Sequence, residues 1–221
     1  MEKIRNKSII FMAIFFLFLS SYMVQLRIDY LRKDRQDIES LLYLPSGRFL
    51  KPIMLGFDLF VADMLWIKTV GYFGNHLLTD KEYPWLYYMV DIVTDLDPDF
   101  TFPYFFGGII LSLDANEIDK SNKILEKGMR NHPDMWQFPF YIGFNYFYHY
   151  NRPIDAAGYI ERAVKNPDSP GYLKTLPARL YEKGGEKNAG IHFLQEIYKN
   201  TEDKTLRERI EKRVREILGK N

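Results

Sequence analysis

The sequence predicts an all-α protein: one N-terminal transmembrane helix, then an α-solenoid of about four helix-turn-helix units ending in a capping helix. Three observations predict this. An unbroken apolar run fills residues 9–19 behind a basic head. Proline recurs at Pro98, Pro133 and Pro167, at spacings of 35 and 34 residues. No stretch alternates apolar and polar residues cleanly between turn signals, so strands are not expected.

The head, MEKIRNK, sets Lys3, Arg5 and Lys7 against one acid, Glu2. The apolar run continues through SSYMVQL to Leu26, and these 18 residues make about 27 Å of helix, enough for a thin bilayer. A cleaved signal peptide needs small residues in an A-x-A-like pattern. The best site, after Ser21, has Leu19 at the minus-three position, which fits poorly. An uncleaved anchor over residues 8–26 is therefore expected. Arg27, Arg32, Lys33 and Arg35 flank its far side, but a leading anchor with a basic head inserts with its N-terminus inside. The expected location is a bacterial inner membrane, with a cytoplasmic N-terminus and the remaining chain on the periplasmic side.

Beyond the anchor, residues 27–63 read as an amphipathic helix and a pre-repeat segment. Ile28, Leu31, Ile38, Leu41 and Leu42 recur at helical spacing, and Pro45-Ser46-Gly47 breaks the chain. A second strongly apolar helical region covers residues 53–78. Inside it Asp63 stands among apolar neighbours, where a lone carboxylate costs several kcal/mol to bury unless it is paired. Two readings stay open: a bond to a backbone amide, Arg48 or Lys51, or an interface with a basic partner.

Upstream of each proline mark lies one ladder of small and apolar residues with steps of 4 and 3. It reads Leu86, Val90, Val93, then Ser121, Leu125, Gly128, then Ala156, Ile160, Ala163, then Gly190, Leu194, Ile197. The fourth ladder precedes Thr201, where the proline is lost. Such a period marks stacked helix pairs that share one core. The units run from about 64–98, 99–133, 134–167 and 168–201, so repeats occupy 64–202. Residues 203–221 follow as a cap: Leu206, Ile210, Val214 and Ile217 form one stripe among charges. Gly108, Gly143, Ala156 and Ala163 are small enough for close helix approach.

These ladders resemble the tetratricopeptide repeat (TPR). Its W-x2-L-G-x2-Y, A-x3-F and P pattern is best matched by Ile142-Gly143, Tyr146, Ala156, Ile160, Ala163 and Pro167. The second unit offers Gly107-Gly108, Leu111, Ser121, Leu125 and Pro133. The first has Val70-Gly71 and a longer turn, and in the fourth Pro177 replaces the glycine. Leu44-Pro45-Ser46-Gly47, Leu55-Gly56-Phe57 and residues 62–66 resemble a segment before the repeats in membrane-anchored bacterial TPR proteins. The resemblance implies a partner groove lined by the first helix of each unit. It implies Phe102, Phe105, Ile109 and Ser112, then Gln137, Phe140, Phe144 and Phe147, then Gly171, Lys174, Ala178 and Tyr181. Only Lys174 matches the basic positions of the subclass that captures acidic tails. An apolar or amphipathic segment is thus the expected ligand.

Composition narrows the chemistry. Lys plus Arg is 30 against 29 Asp plus Glu, so no global field draws the chain to nucleic acid. Cysteine is absent, which excludes disulfides and thiolate chemistry. His76, His132, His149 and His192 form no H-E-x-x-H pair, and His132 reads as an exposed turn. Asp95-Leu96-Asp97-Pro98-Asp99 mimics a calcium loop but has Phe100 and Phe106 where glycine and glutamate are needed. Gly107-Gly108 and Gly184-Gly185 lack a phosphate-loop pattern. No catalytic residue, metal site, cofactor or small-molecule substrate is expected. The expected function is a membrane-tethered scaffold or adaptor for a protein or peptide partner in a cell-envelope complex. The alternative is an integral structural subunit of a large membrane complex.

Overall fold

The computed structural model describes Met12 and residues 14–27 and 46–219. The chain divides into two units, Met1–Leu44 and Pro45–Asn221. In the first, residues 14–27 form helix α1, and every described side chain on it is exposed. Among the described residues no helix is long and apolar enough to cross a membrane. The amphipathic helix expected between the anchor and Pro45, and the basic head, lie outside the described residues.

The second unit is all helical, with no strand among the described residues. It opens with α2 (Gly47–Leu50) and a 3-10 turn (Lys51–Met54). Long helices follow: α3 (Asp58–Leu78), α4 (Leu86–Leu96), α5 (Thr101–Leu113), α6 (Ile118–Asn131), α7 (Gln137–Tyr148) and α8 (Pro153–Val164). A second 3-10 turn (Gly171–Thr175) leads into α9 (Leu176–Lys183), α10 (Lys187–Asn200) and α11 (Lys204–Leu218). The apolar stretch at 53–78 is therefore not one helix. It breaks at Leu55 and Gly56, both in the left-handed region with φ of 48° and 91°. Glycine tolerates that conformation and leucine does so only with strain.

Successive helices pack as hairpins, α3 on α4, α5 on α6, α7 on α8 and α9 on α10, and each hairpin also touches the next. The inner ladder residues make the core: Leu86, Val90, Val93, Leu125, Ile160, Ala163 and Leu194 are buried. Close approach needs glycine where helices cross. A Cβ on Gly108 would lie 2.4 Å from Leu125, and one on Gly143 would lie 2.8 Å from Ile160. Pro98, Pro133 and Pro167 fall between hairpins, where a missing N–H ends the preceding helix at no further cost.

The turns inside the hairpins share a backbone signature. A left-handed residue recurs at Lys81, Asn116, Asn151 and Gly185, with φ of 58°, 53°, 52° and 88°. The amides of Glu117, Arg152 and Glu186, each just past that residue, donate to the carbonyls of Leu111, Tyr146 and Tyr181. Such bonds satisfy carbonyls left over at a helix C-terminus.

Neighbouring hairpins are also braced at their outer turns. His132, expected as an exposed turn residue, is half-buried, and its Nε2–H donates to the Pro98 carbonyl at 2.8 Å. The Asn166 amide likewise donates to the Asp134 carbonyl. Lys127 on α6 pairs with Asp91 at 2.7 Å and Asp95 at 2.6 Å on α4. Asp95 is thus held by a lysine, and among the described residues no group of acids and histidines is placed to hold a metal ion. Asp63 is exposed, and Lys51 reaches Asp58 at 4.0 Å.

Candidate functional site

The first helices of the second and third hairpins, α5 and α7, bring four of the expected groove residues around one cavity. Ile109, Ser112, Phe140 and Phe144 line about 190 Å³ of space, together with Leu113, Tyr141 and Asn145. The walls are apolar because α5 carries an all-round apolar sequence, so its outer positions stay half-exposed once the core face is filled. Phe144 stacks on Tyr148 with centroids 5.4 Å apart, and Phe140 packs edge-on against Trp136 and Tyr141.

Buried polar groups form the floor, and their bonds can be assigned one by one. The Ser121 hydroxyl donates its single proton to the Gly108 carbonyl at 2.6 Å, so its oxygen must accept from Asn145 Nδ2 at 3.0 Å. The same Nδ2 donates to Asn122 Oδ1 at 2.8 Å. That orientation points Asn145 Oδ1 at Ser112, whose hydroxyl donates to it at 2.6 Å. Ser112 Oγ therefore accepts from His149, whose Nε2 lies 3.0 Å away and carries a proton. A serine beside a histidine suggests a nucleophile and its base. Here the hydroxyl proton is committed to an amide and the imidazole is the donor, so the pair acts as a structural link.

The other expected groove residues lie elsewhere. Phe102 is 56% exposed and meets Trp66 edge-on at 5.7 Å, on an aromatic cluster with Phe106 and Phe73. Phe105 stacks flat on buried Phe138 at 4.4 Å. Gln137 is half-buried at the start of α7. Phe147 lies under the Lys183 ammonium, 4.4 Å from its ring centre. Lys174 and Gly171 belong to the second 3-10 turn. Ala178 is a correction: it is wholly buried, and its carbonyl lies 3.0 Å from where a Gly190 Cβ would stand, so it belongs to the core. Tyr181 is half-buried, and burial followed by the nearby Glu161 carboxylate pushes its hydroxyl up to about 12.

Asn145 and Phe138 were missed by sequence reading. Asn145 carried a signal, one amide inside the aromatic run FNYFY. Phe138 carried none that separated it from its exposed neighbours. A larger hollow of about 560 Å³ lies between α10 and α11. Ile210 and Val214 line it together with Gln195, Tyr198, Lys199, Glu211 and Arg215, and Tyr198 donates to Glu211 at 3.0 Å. Its walls thus mix apolar and charged groups, where those of the cavity between α5 and α7 carry no charge. Comparison with protein-family models and with curated proteins returns no match for this chain.

Proposed function

We propose that the protein is a scaffold of the tetratricopeptide type that tethers a partner segment at a membrane. The observation that carries this reading is the aromatic-walled cavity between α5 and α7, floored by Ser112 and Asn145. Its size suits one or two apolar side chains of an amphipathic peptide, with Phe144 as an anchor that fills space without being part of the core. The tether is the apolar segment of residues 9–26, inserted with its N-terminus inside, and it supports a location at a bacterial inner membrane. The carboxylate-capturing mode is not part of the proposal, because no lysine or arginine lines the cavity.

A photo-crosslinker in place of Phe144, used in membranes of the expressing cell, should link the chain to one protein through a short apolar segment. Phe144→Ala should abolish co-purification of that protein while melting temperature changes little. Unchanged co-purification would defeat the groove. Release of the chain from membranes by alkaline carbonate would defeat the tether without touching the groove.

A further inference from the structure

Helix α3 is apolar on two faces. Its inner face buries Ala62, Thr69 and Tyr72 against the rest of the unit. Its outer face is a continuous stripe of Phe60, Met64, Ile67, Gly71, Gly74 and Leu78, spaced 4, 3, 4, 3 and 4 residues apart. That alternation is the seam of a helix that packs against a second helix. Phe60, Met64, Ile67 and Leu78 are 63%, 46%, 65% and 86% exposed. An ordinary surface helix carries one apolar stripe, and a helix apolar all round is covered on both sides.

The two glycines identify the kind of cover. A Cβ on either would meet nothing within 4 Å, so the unit's own packing does not require them. Glycine is the poorest helix former after proline, and a lipid surface gains nothing from it. It is useful where another backbone or a large side chain comes close. The order of sizes along the stripe then identifies the partner. Phe60, Met64 and Ile67 fill its first half, and the second holds Gly71, Gly74 and then Leu78. Turning a second copy by 180° about an axis at residue 69 sets Met64 against Gly74, Ile67 against Gly71 and Phe60 against Leu78. Two knobs, Met64 and Ile67, meet glycine gaps, and at each end Phe60 lies on Leu78, large apolar against large apolar.

We propose that two copies of the chain associate through α3, antiparallel, with this stripe as an isologous interface. The stripe with flanking Leu59, Val70 and Leu77 exposes on the order of 700 Å² of apolar surface per protomer, near the roughly 800 Å² per partner of a stable interface. Two charges flank the stripe: exposed Asp63 on the side of Leu59 and Val70, and Lys68 on the other side, close to its own copy. Its four-carbon stem carries the ammonium out to water, and salt screens the remaining repulsion. The interface is independent of the partner groove between α5 and α7.

The natural chain has no cysteine, so introduced ones report without background. Two differently tagged full-length chains, one Met64→Cys and the other Gly74→Cys, should form a mixed disulfide on oxidation in the expressing cell. Each variant alone should form none with itself, since like positions stand about 15 Å apart along the axis. Gly71→Leu should cut the mixed cross-link at least tenfold while helix content by circular dichroism stays the same. Strong linking of each variant to itself would mean a parallel pair and overturn the proposal. Linking to a different protein, or no linking at all, would overturn it as well.

Discussion

Helices α3 and α11 stand at opposite ends of the hairpin stack and present opposite surfaces. On α11 the buried stripe is Leu206, Ile210 and Ile217, and the outer side is Glu208, Arg209, Lys212 and Arg215, all exposed. Its N-terminus is closed by Asp203, whose carboxylate accepts from the amides of Thr205 at 2.9 Å and Leu206 at 3.2 Å. Arg213 ties it to Glu182 on α9. On α3 no side chain caps the N-terminus, and the outer side is a second apolar stripe. Stacked helices need a polar outer face wherever the stack meets water. The C-terminal end meets that requirement with its own residues. The N-terminal end does so only when something covers it, and the contrast separates a finished surface from one that requires a partner.

The comparison can be broken most directly at the finished end. Deleting residues 203–221 removes three buried side chains, Leu206, Ile210 and Ile217, from the core cluster that also holds Phe193 and Leu194. At roughly 1.5–3 kcal/mol for each side chain lost, several kcal/mol of stability should go, with aggregation visible by light scattering. Unchanged melting of a monodisperse truncated protein would show that α11 is not a cap. Ile210→Ala should cost about 2–5 kcal/mol by chemical denaturation, because Ile210 is 2% exposed in the cluster with Leu194 and Leu206.

Alkali tests whether the two halves fail together. Burial first, and then the Asp95 carboxylate, pushes the Tyr104 hydroxyl up to about 12, even though Asn131 donates to it. Tyr181 near the other end is likewise raised to about 12. The fold therefore holds both neutral beyond their ordinary value near 10. Their contribution is fully present below pH 10 and is lost as pH rises from 10 towards 12. The part of the phenolate absorbance that Tyr104→Phe and Tyr181→Phe remove should rise late and in step with loss of helical signal, and an early rise of that part would contradict the burial of these groups. At the finished end again, Asp203→Ala should cost about 1 kcal/mol, the usual effect of losing a helix cap, read from the shift in denaturation midpoint. The smallest effect belongs to the other end. Ile67→Ser should leave the stability of the single folded unit within about 0.5 kcal/mol, since Ile67 touches solvent more than protein. A large loss there would place the residue in the core and erase the contrast between the ends.

How much of this was legible in the sequence follows from the distance over which each signal acts. Helix identity and the stripe of α11 are local, set by 3.6-residue periodicity, and Leu206, Ile210 and Ile217 were placed correctly among the buried residues. The helix-ending prolines were equally plain. The hairpin turns were not, because Lys81, Asn116 and Asn151 adopt the left-handed region without the glycine that advertises it. Leu55 hid the break before α3 for the same reason. The groove was partly legible. Counting along the helix found Ile109, Ser112, Phe140 and Phe144, which converge on the cavity. Ala178 failed because burial there depends on Gly190, a contact between helices that spacing on one helix does not encode. Nor could periodicity reveal that α3 is apolar on both faces and therefore which face the stack leaves open.

The amide of Asn145 has a consequence for how the molecule comes apart. An array held by nearest-neighbour apolar contact opens one hairpin at a time, each at its own small cost. Asn145 on α7 draws on Ser112 of α5 and on Ser121 and Asn122 of α6, so no one of these helices leaves without stranding buried donors and acceptors on the others. Stranding each such group costs about 1–3 kcal/mol. The second and third hairpins should consequently exchange their slowest amide protons as one block, with a common opening free energy, while α10 and α11 open earlier. A polar knot at the centre thus turns two modules of a repeat into a single cooperative unit and leaves the last one free to fray.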